Sequence, residues 1–154
     1  MCPASNKSSN TLIPVPDAFD IVAAARTWIG TPVLHQGRLK GVGVDCAGII
    51  VGVARELGLS SFDTRAYGRT PDGVTLRRLC RQHMEPIDEL CLGAVVLMKF
   101  MKHPHHLGIV GDKGSPFSLI HAYDGAAKCM EHILDGKWRH RICGIYKYRG
   151  VTDG

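Results

Sequence analysis

Apolar residues recur along this chain with two different periods. In "PDAFDIVAAARTWIG", Phe19, Val22, Ala23 and Arg26 follow helical spacing, Asp17 is placed to cap the segment, and Gly30 with Pro32 stops it. A glycine-rich loop, "HQGRLKGVGVD", follows. In "GVDCAGIIVGVARELGL", Ile49, Ile50, Val53 and Leu57 form one stripe, with Asp45 as the cap and Gly58 as the stop. Few polar residues precede Arg55, so this helix is expected to be buried on most sides, and Gly48 and Gly52 allow close packing against a neighbour. Residues 60–71 read as loop. A third helix is predicted over "PDGVTLRRLCRQH", capped by Asp72, with Val74, Leu76, Leu79 and Cys80 on its apolar face. After Pro86 the period shortens. "GAVVLMKF", "HLGIVGD", "FSLIHAY", "KCMEHIL" and "CGIYKYR" are short apolar runs between turn residues and predict five antiparallel strands. Helices first and strands afterwards predict one α+β domain over residues 16–149, with tails at 1–15 and 150–154.

Composition agrees with a globular chain: 154 residues, 45% hydrophobic and 21% charged. The formal charge of +5 is a modest excess, and the basic residues are dispersed. With no basic block and little aromatic interleaving, no nucleic-acid partner is expected. No segment has the length and apolarity of a membrane span, and the N-terminus has no hydrophobic signal-peptide core, so a cytoplasmic site of synthesis without a secretory signal is expected. The six cysteines, Cys2, Cys46, Cys80, Cys91, Cys129 and Cys143, have irregular spacing and no CxxC pair. Free thiols, mostly serving as packing residues, are the expectation.

Cys46 stands apart because it follows the Asp45 cap and is therefore the first helical residue. Free backbone N–H groups and the helix dipole favour an anion there, which is expected to lower the thiol pKa, and the same amides face a developing oxyanion. A nucleophilic thiol needs a nearby histidine. His106 is expected to open the strand "HLGIV", on the same face as Gly108, whose missing side chain leaves room beside an imidazole. His121 lies inside the apolar strand "SLIHAY", where a titratable group needs a partner. Pairing across neighbouring strands would let His121 orient His106. A metal reading of "HPHH" with "CMEH" is disfavoured: Cys129 and Glu131 would share one strand face and His132 the other, so the ligands would not converge.

"ARTWIGTPVLHQGRLKGVGVDCAGIIVGVARELGL", "HHLGIVGD" and "LIHAY", in that order, resemble the NlpC family of papain-like cell-wall cysteine peptidases, in particular the phage and gene-transfer-particle subgroup. The similarity spans roughly residues 18 to 149. The resemblance implies a papain-like α+β fold in which the Cys46 helix packs on an antiparallel sheet carrying two histidines. It implies Cys46 as nucleophile, His106 as general base and acid, and His121 as the residue orienting His106. Substrate-binding positions fall at Asp45, Ala47 and His35. Many relatives have tyrosine where this chain has Val33 and serine where it has Ala47, leaving His35 as the nearby donor. The implied partners are a peptidoglycan stem peptide and other phage tail-tip proteins. The implied setting is the virion tail tip, assembled in the host cytoplasm, and no cofactor or metal is expected. A structural tail-tip module, or a Cys–His amidase, acyltransferase or thioesterase, uses the same residues and stays open.

Overall fold

A computed structural model describes residues 14–152. Most of the expected N-terminal tail, with Cys2, and the last two residues lie outside them. The first helix, α1 (Ala18–Arg26), starts at a reciprocal capping box: Asp20 N–H donates to Asp17, and Asp17 N–H to Asp20, both at 2.9 Å. The second, α2 (Cys46–Glu56), starts where the Asp45 carboxylate accepts from Gly48 N–H. A β-carbon at Gly52 would run into the Trp28 indole, and one at Gly48 into the Gly37 carbonyl. These two positions therefore let α2 seat closely against its neighbours, as their spacing predicts.

The third helix, α3 (Thr75–His83), begins three residues after Asp72, whose carboxylate accepts from the Val74 and Thr75 backbone N–H groups and from the Thr75 hydroxyl. Asp72 thus supplies the expected N-terminal bonds from outside the helix. The predicted glycine-rich loop contains a small hairpin, β1 (Arg38–Leu39) with β2 (Gly43–Val44).

The main sheet has six strands, one more than the periodicity predicts: β3 (Met84–Pro86), β4 (Val95–Phe100), β5 (His103–Gly111), β6 (Ser118–Tyr123), β7 (Lys128–Ile133) and β8 (Ile142–Tyr148), in the order β3-β8-β4-β5-β6-β7 and antiparallel throughout. The extra strand, β3, is only three residues long and continues directly from α3, which is too short a run to show a period. A four-residue helix, α4 (Gly136–Arg139), precedes β8.

The two faces of the sheet bury different partners. Val95, Leu97, Leu107, Ile109, Ile120 and Cys129 pack with Ile21 and Ala25 of α1 and Ile49 and Val53 of α2. Val96, Met98, Val110 and Leu119 form a second core with Leu134, against which Trp138 of α4 packs. This strict alternation is the two-residue strand period made physical. Arg26 ties α1 to the far edge of the sheet by donating twice to Glu131 at 2.9 Å and once to Asp112 at 2.6 Å. Residues 150–152 are not the loose end expected. Val151 packs against the main core, and Thr152 N–H donates to the Pro16 carbonyl at 2.9 Å. Cys46, Cys80, Cys129 and Cys143 are free thiols, as expected, whereas Cys91 is disulfide-bonded.

Candidate active site

Asp45 is where the site is assembled. Its Oδ1 accepts from Gly48 N–H at 2.8 Å and from Arg38 Nη1 at 3.0 Å. Its Oδ2 accepts from Gln36 N–H and from the Tyr67 hydroxyl, each at 2.7 Å, with His35 Nδ1 at 4.0 Å. One carboxylate therefore holds the start of α2, the β1 hairpin and the loop around Tyr67 together. Arg38 extends the network, donating to Asp63, to the Thr64 carbonyl and to the Tyr67 hydroxyl. With both oxygens engaged by two donors each, Asp45 is the expected helix cap and also a hub, and it lines the cleft that holds Cys46.

Cys46 follows as the first residue of α2, half-buried, and lines a cleft of about 680 Å³ together with His35, Tyr67, Arg69, Phe100, His105, His106, Tyr123 and Arg141. Its thiol donates to the His105 carbonyl, with sulfur and oxygen 4.0 Å apart. Among the described residues it makes no hydrogen bond to the His106 ring.

His106 lies inside β5, three residues beyond the strand's first residue, where a strand start was expected. The register of β4 with β5 shifts between Met98, opposite His106, and Lys99, opposite Pro104, so His105 is an extra residue on β5. Such a bulge re-aims side chains locally. Here it turns the His105 carbonyl to the thiol and lets the His106 ring cross to the neighbouring strand. His106 Nε2 lies 2.6 Å from Nδ1 of His121 on β6, the neighbouring-strand pairing under which one ring orients the other. Gly108 makes the expected space: a β-carbon there would press on the Leu119 side chain and the His121 β-carbon.

The chain of rings continues beyond what the sequence predicts. His121 Nε2 lies 2.8 Å from His132 Nε2 on β7, and His132 Nδ1 lies 2.9 Å from the Ile133 carbonyl. Tyr123 stacks on His121 at 5.3 Å, and Trp138 meets it edge-on at 5.0 Å. As the alternation requires, His132 is on this face of the sheet while Cys129 and Glu131 face the helices, Cys129 in the core and Glu131 bonded to Arg26. The described residues hold no group of three or more side chains that could ligate a metal.

Burial sets the charge state. It pushes the Cys46 thiol up to about 12, with the Asp45 carboxylate adding to the rise, while the Leu107 and Ala47 backbone N–H groups oppose it. The helix N-terminus thus acts in the expected direction, but desolvation outweighs it and the resting sulfur is a thiol where a thiolate was expected. Burial likewise lowers His106 to about 3, helped by His105 and Arg141, and His121 to about 2, helped by His106 and His132. Both rings rest neutral.

The remaining expected positions divide. His35, with Val33 beside it, lines the cleft and meets Tyr67 edge-on at 5.7 Å. Ala47 does not join them; it is buried against the core and lines a separate apolar hollow with Ile50, Leu76 and Tyr148. Tyr67 and Arg141 were not singled out by the sequence. Tyr67 sits alone in a loop with no periodic signal, and a single tyrosine there has no spacing to mark it. Arg141 lies between two aromatic rings, its guanidinium carbon 4.6 Å from the Phe100 centroid and 4.4 Å from that of Trp138.

No protein-family model matches this sequence, and no curated protein does. Solved structures match its fold. An NlpC/P60 family protein from Bacillus cereus superposes over 88% of this chain with a TM-score of 0.63 at 20% identity. The NlpC/p60 domain of the peptidoglycan hydrolase SagA does so over 85%, with a TM-score of 0.56 at 20% identity. An NLP/P60 family protein similar to a lipoprotein, from Staphylococcus aureus, covers 85% with a TM-score of 0.61 at 17% identity. This chain spans 41% of the Bacillus cereus and Staphylococcus aureus proteins and 98% of the SagA domain. At these identities the likeness is one of architecture: the chain has the α+β, papain-like fold of NlpC/P60 proteins.

Proposed function

We propose that this protein is a cysteine peptidase that hydrolyses a peptide bond in peptidoglycan stem peptides. The observation that carries the reading is the placement of Cys46, at the first turn of α2, in one cleft with a histidine that is itself held by a buried histidine. The fold shared with NlpC/P60 structures supports the same reading, one of them being a domain of a peptidoglycan hydrolase.

The resting site is a neutral thiol beside a neutral imidazole. As sulfur attacks the scissile carbonyl, its proton passes to His106. In the unliganded site the thiol is turned to the His105 carbonyl, and catalytic contacts of this kind commonly tighten only when substrate is bound. The backbone N–H groups that face the sulfur, among them that of Ala47, stabilise the negative charge that moves onto the substrate oxygen. Collapse of the tetrahedral intermediate breaks the C–N bond, and His106 gives its proton to the leaving amine. Water then attacks the thioester and His106 takes a proton from it; as the C–S bond breaks, His106 returns that proton to the sulfur, releasing Cys46 as the thiol and the acyl group as a carboxylic acid.

Arg141 supports a substrate bearing free carboxylates, as stem peptides do. It has no carboxylate partner among the described residues and is held between Phe100 and Trp138 at the cleft. The resemblance to phage and gene-transfer-particle sequences supports a setting at the virion tail tip, alongside other tail proteins.

Zymography on purified cell wall tests the activity. The protein should clear the wall and Cys46→Ala should not. Failure to clear it under conditions where another wall peptidase does overturns the peptidase reading. Clearing by Cys46→Ala overturns the nucleophile assignment. Antibody labelling of purified virions tests the setting, which fails if the particles carry no label.

A further inference from the structure

The three linked imidazoles carry more information than their spacing, because each ring nitrogen must either donate or accept. The chain ends on a group that leaves no choice: the Ile133 carbonyl only accepts. His132 Nδ1, 2.9 Å away, therefore carries a proton. In a neutral ring that leaves His132 Nε2 bare. His121 Nε2, 2.8 Å from it, must then carry a proton and donate. A neutral His121 with its proton on Nε2 has a bare Nδ1. His106 Nε2, 2.6 Å from that atom, must in turn carry a proton. By elimination His106 Nδ1 is bare, and His106 lines the cleft that Cys46 enters.

We infer that His132 is a positioning residue: with the Ile133 carbonyl it fixes the tautomers of a three-imidazole chain so that His106 keeps a lone pair on Nδ1, the form able to accept the thiol proton. The inference rests on the peptidase reading only for what the lone pair is used for. The tautomers follow from the hydrogen bonds themselves. His121 alone does not fix them, because a neutral imidazole with an uncommitted far nitrogen donates or accepts equally well. The anchor lies two rings away from His106, on the third strand of the set.

The surroundings favour neutral rings at His106 and His121. The groups facing these two are His105, Arg141, Phe100 and Tyr123 near His106, with Tyr123, Trp138 and His132 against His121. None of these is an anion that would stabilise a positive charge on the two buried rings.

The test is nitrogen NMR on the full chain with ¹⁵N-labelled histidine near neutral pH, each ring assigned by single substitution. The expected result is a protonated Nε2 and bare Nδ1 on His106 and His121, and a protonated Nδ1 on His132. A protonated Nδ1 on His106 overturns the inference, whatever the protein does to cell wall. His132→Phe removes the acceptor. It should leave His121 and His106 as tautomer mixtures and lower kcat on purified peptidoglycan about tenfold, with KM unchanged. His132→Gln, whose side-chain carbonyl accepts from His121 Nε2–H, should restore both the tautomers and the rate, and serves as the readout if His132→Phe does not fold. Unchanged His106 tautomers in His132→Phe, or a Gln variant that folds but leaves the tautomers mixed, also overturn it. Absence of hydrolysis with the expected tautomers would count against the peptidase reading and not against this one.

Discussion

The Tyr67 hydroxyl donates to the Asp45 carboxylate at 2.7 Å across 22 residues of sequence, and at the same distance accepts from Arg38 Nη2. A loop without secondary structure is thereby fixed to the residue that caps the Cys46 helix. Burial and the bond to Asp45 push this phenol well above the ordinary tyrosine range, so it acts as a donor to the carboxylate.

Tyr67→Phe keeps the ring and removes only these two bonds. Both involve charged partners, and buried Asp45 and half-buried Arg38 would each be left with one bond fewer. A loss of about 1–3 kcal/mol in unfolding free energy is expected. Urea denaturation checks it, and a change within error would show that water replaces the hydroxyl without cost.

Cys46 should remain a thiol through the neutral range. A raised acid pKa means that the neutral form persists upward in pH, here to about 12. Ultraviolet difference titration between the protein and Cys46→Ala should therefore show no thiolate from Cys46 between about pH 6 and 9, where an ordinary cysteine already ionises. A thiolate step in that window would mean that the helix N-terminus prevails over burial after all.

The buried histidines make the fold acid-sensitive. Their pKa values are lowered in the native chain, so between the ordinary value of 6.5 and about 3 the unfolded chain binds protons that the native chain excludes. Stability is full above about 6.5 and falls as pH drops below it. The slope is up to about 1.4 kcal/mol per pH unit for each such histidine. Denaturant midpoints at pH 7.5 and 5 measure the loss, and His121→Leu should reduce the slope. Equal midpoints in the native sequence would contradict neutral burial.

Arg141→Ala should raise KM for a carboxylate-bearing stem peptide about tenfold, the size of one charge-assisted hydrogen bond, with kcat little changed. A stem peptide amidated at its free carboxyl should lose the same factor on the native protein. If the amidated and free forms bind the native protein equally, Arg141 does not read the carboxylate.

What was legible in the sequence depended on local repetition. The Asp45–Cys46 step stood out because capping is a matter of adjacent residues. His106 and His121 stood out because strand alternation assigns each to a face, and Gly108 because an absent side chain is visible in one letter. The same alternation separated Cys129 and Glu131 from His132 and so argued against a metal centre. It did not connect His132 to His121, because that contact depends on the β6–β7 register, and two alternating segments do not reveal their relative offset. Tyr67, Arg38 and Arg141 reach the site through loop closure and a helix-to-strand turn, which leave no periodic trace. The charge state of Cys46 was misread for a related reason: the helix dipole is local and legible, while burial is supplied by segments far along the chain.

Asp45 also has a consequence for how this protein survives before it meets a substrate. Thiols are oxidised and alkylated as thiolates. A carboxylate fixed beside the sulfur, together with burial, holds the proton on, so the hub that assembles the site acts as its safety catch. On the peptidase reading, the thiol waits among stray oxidants and electrophiles without being spent until a substrate in the cleft draws its proton across to His106.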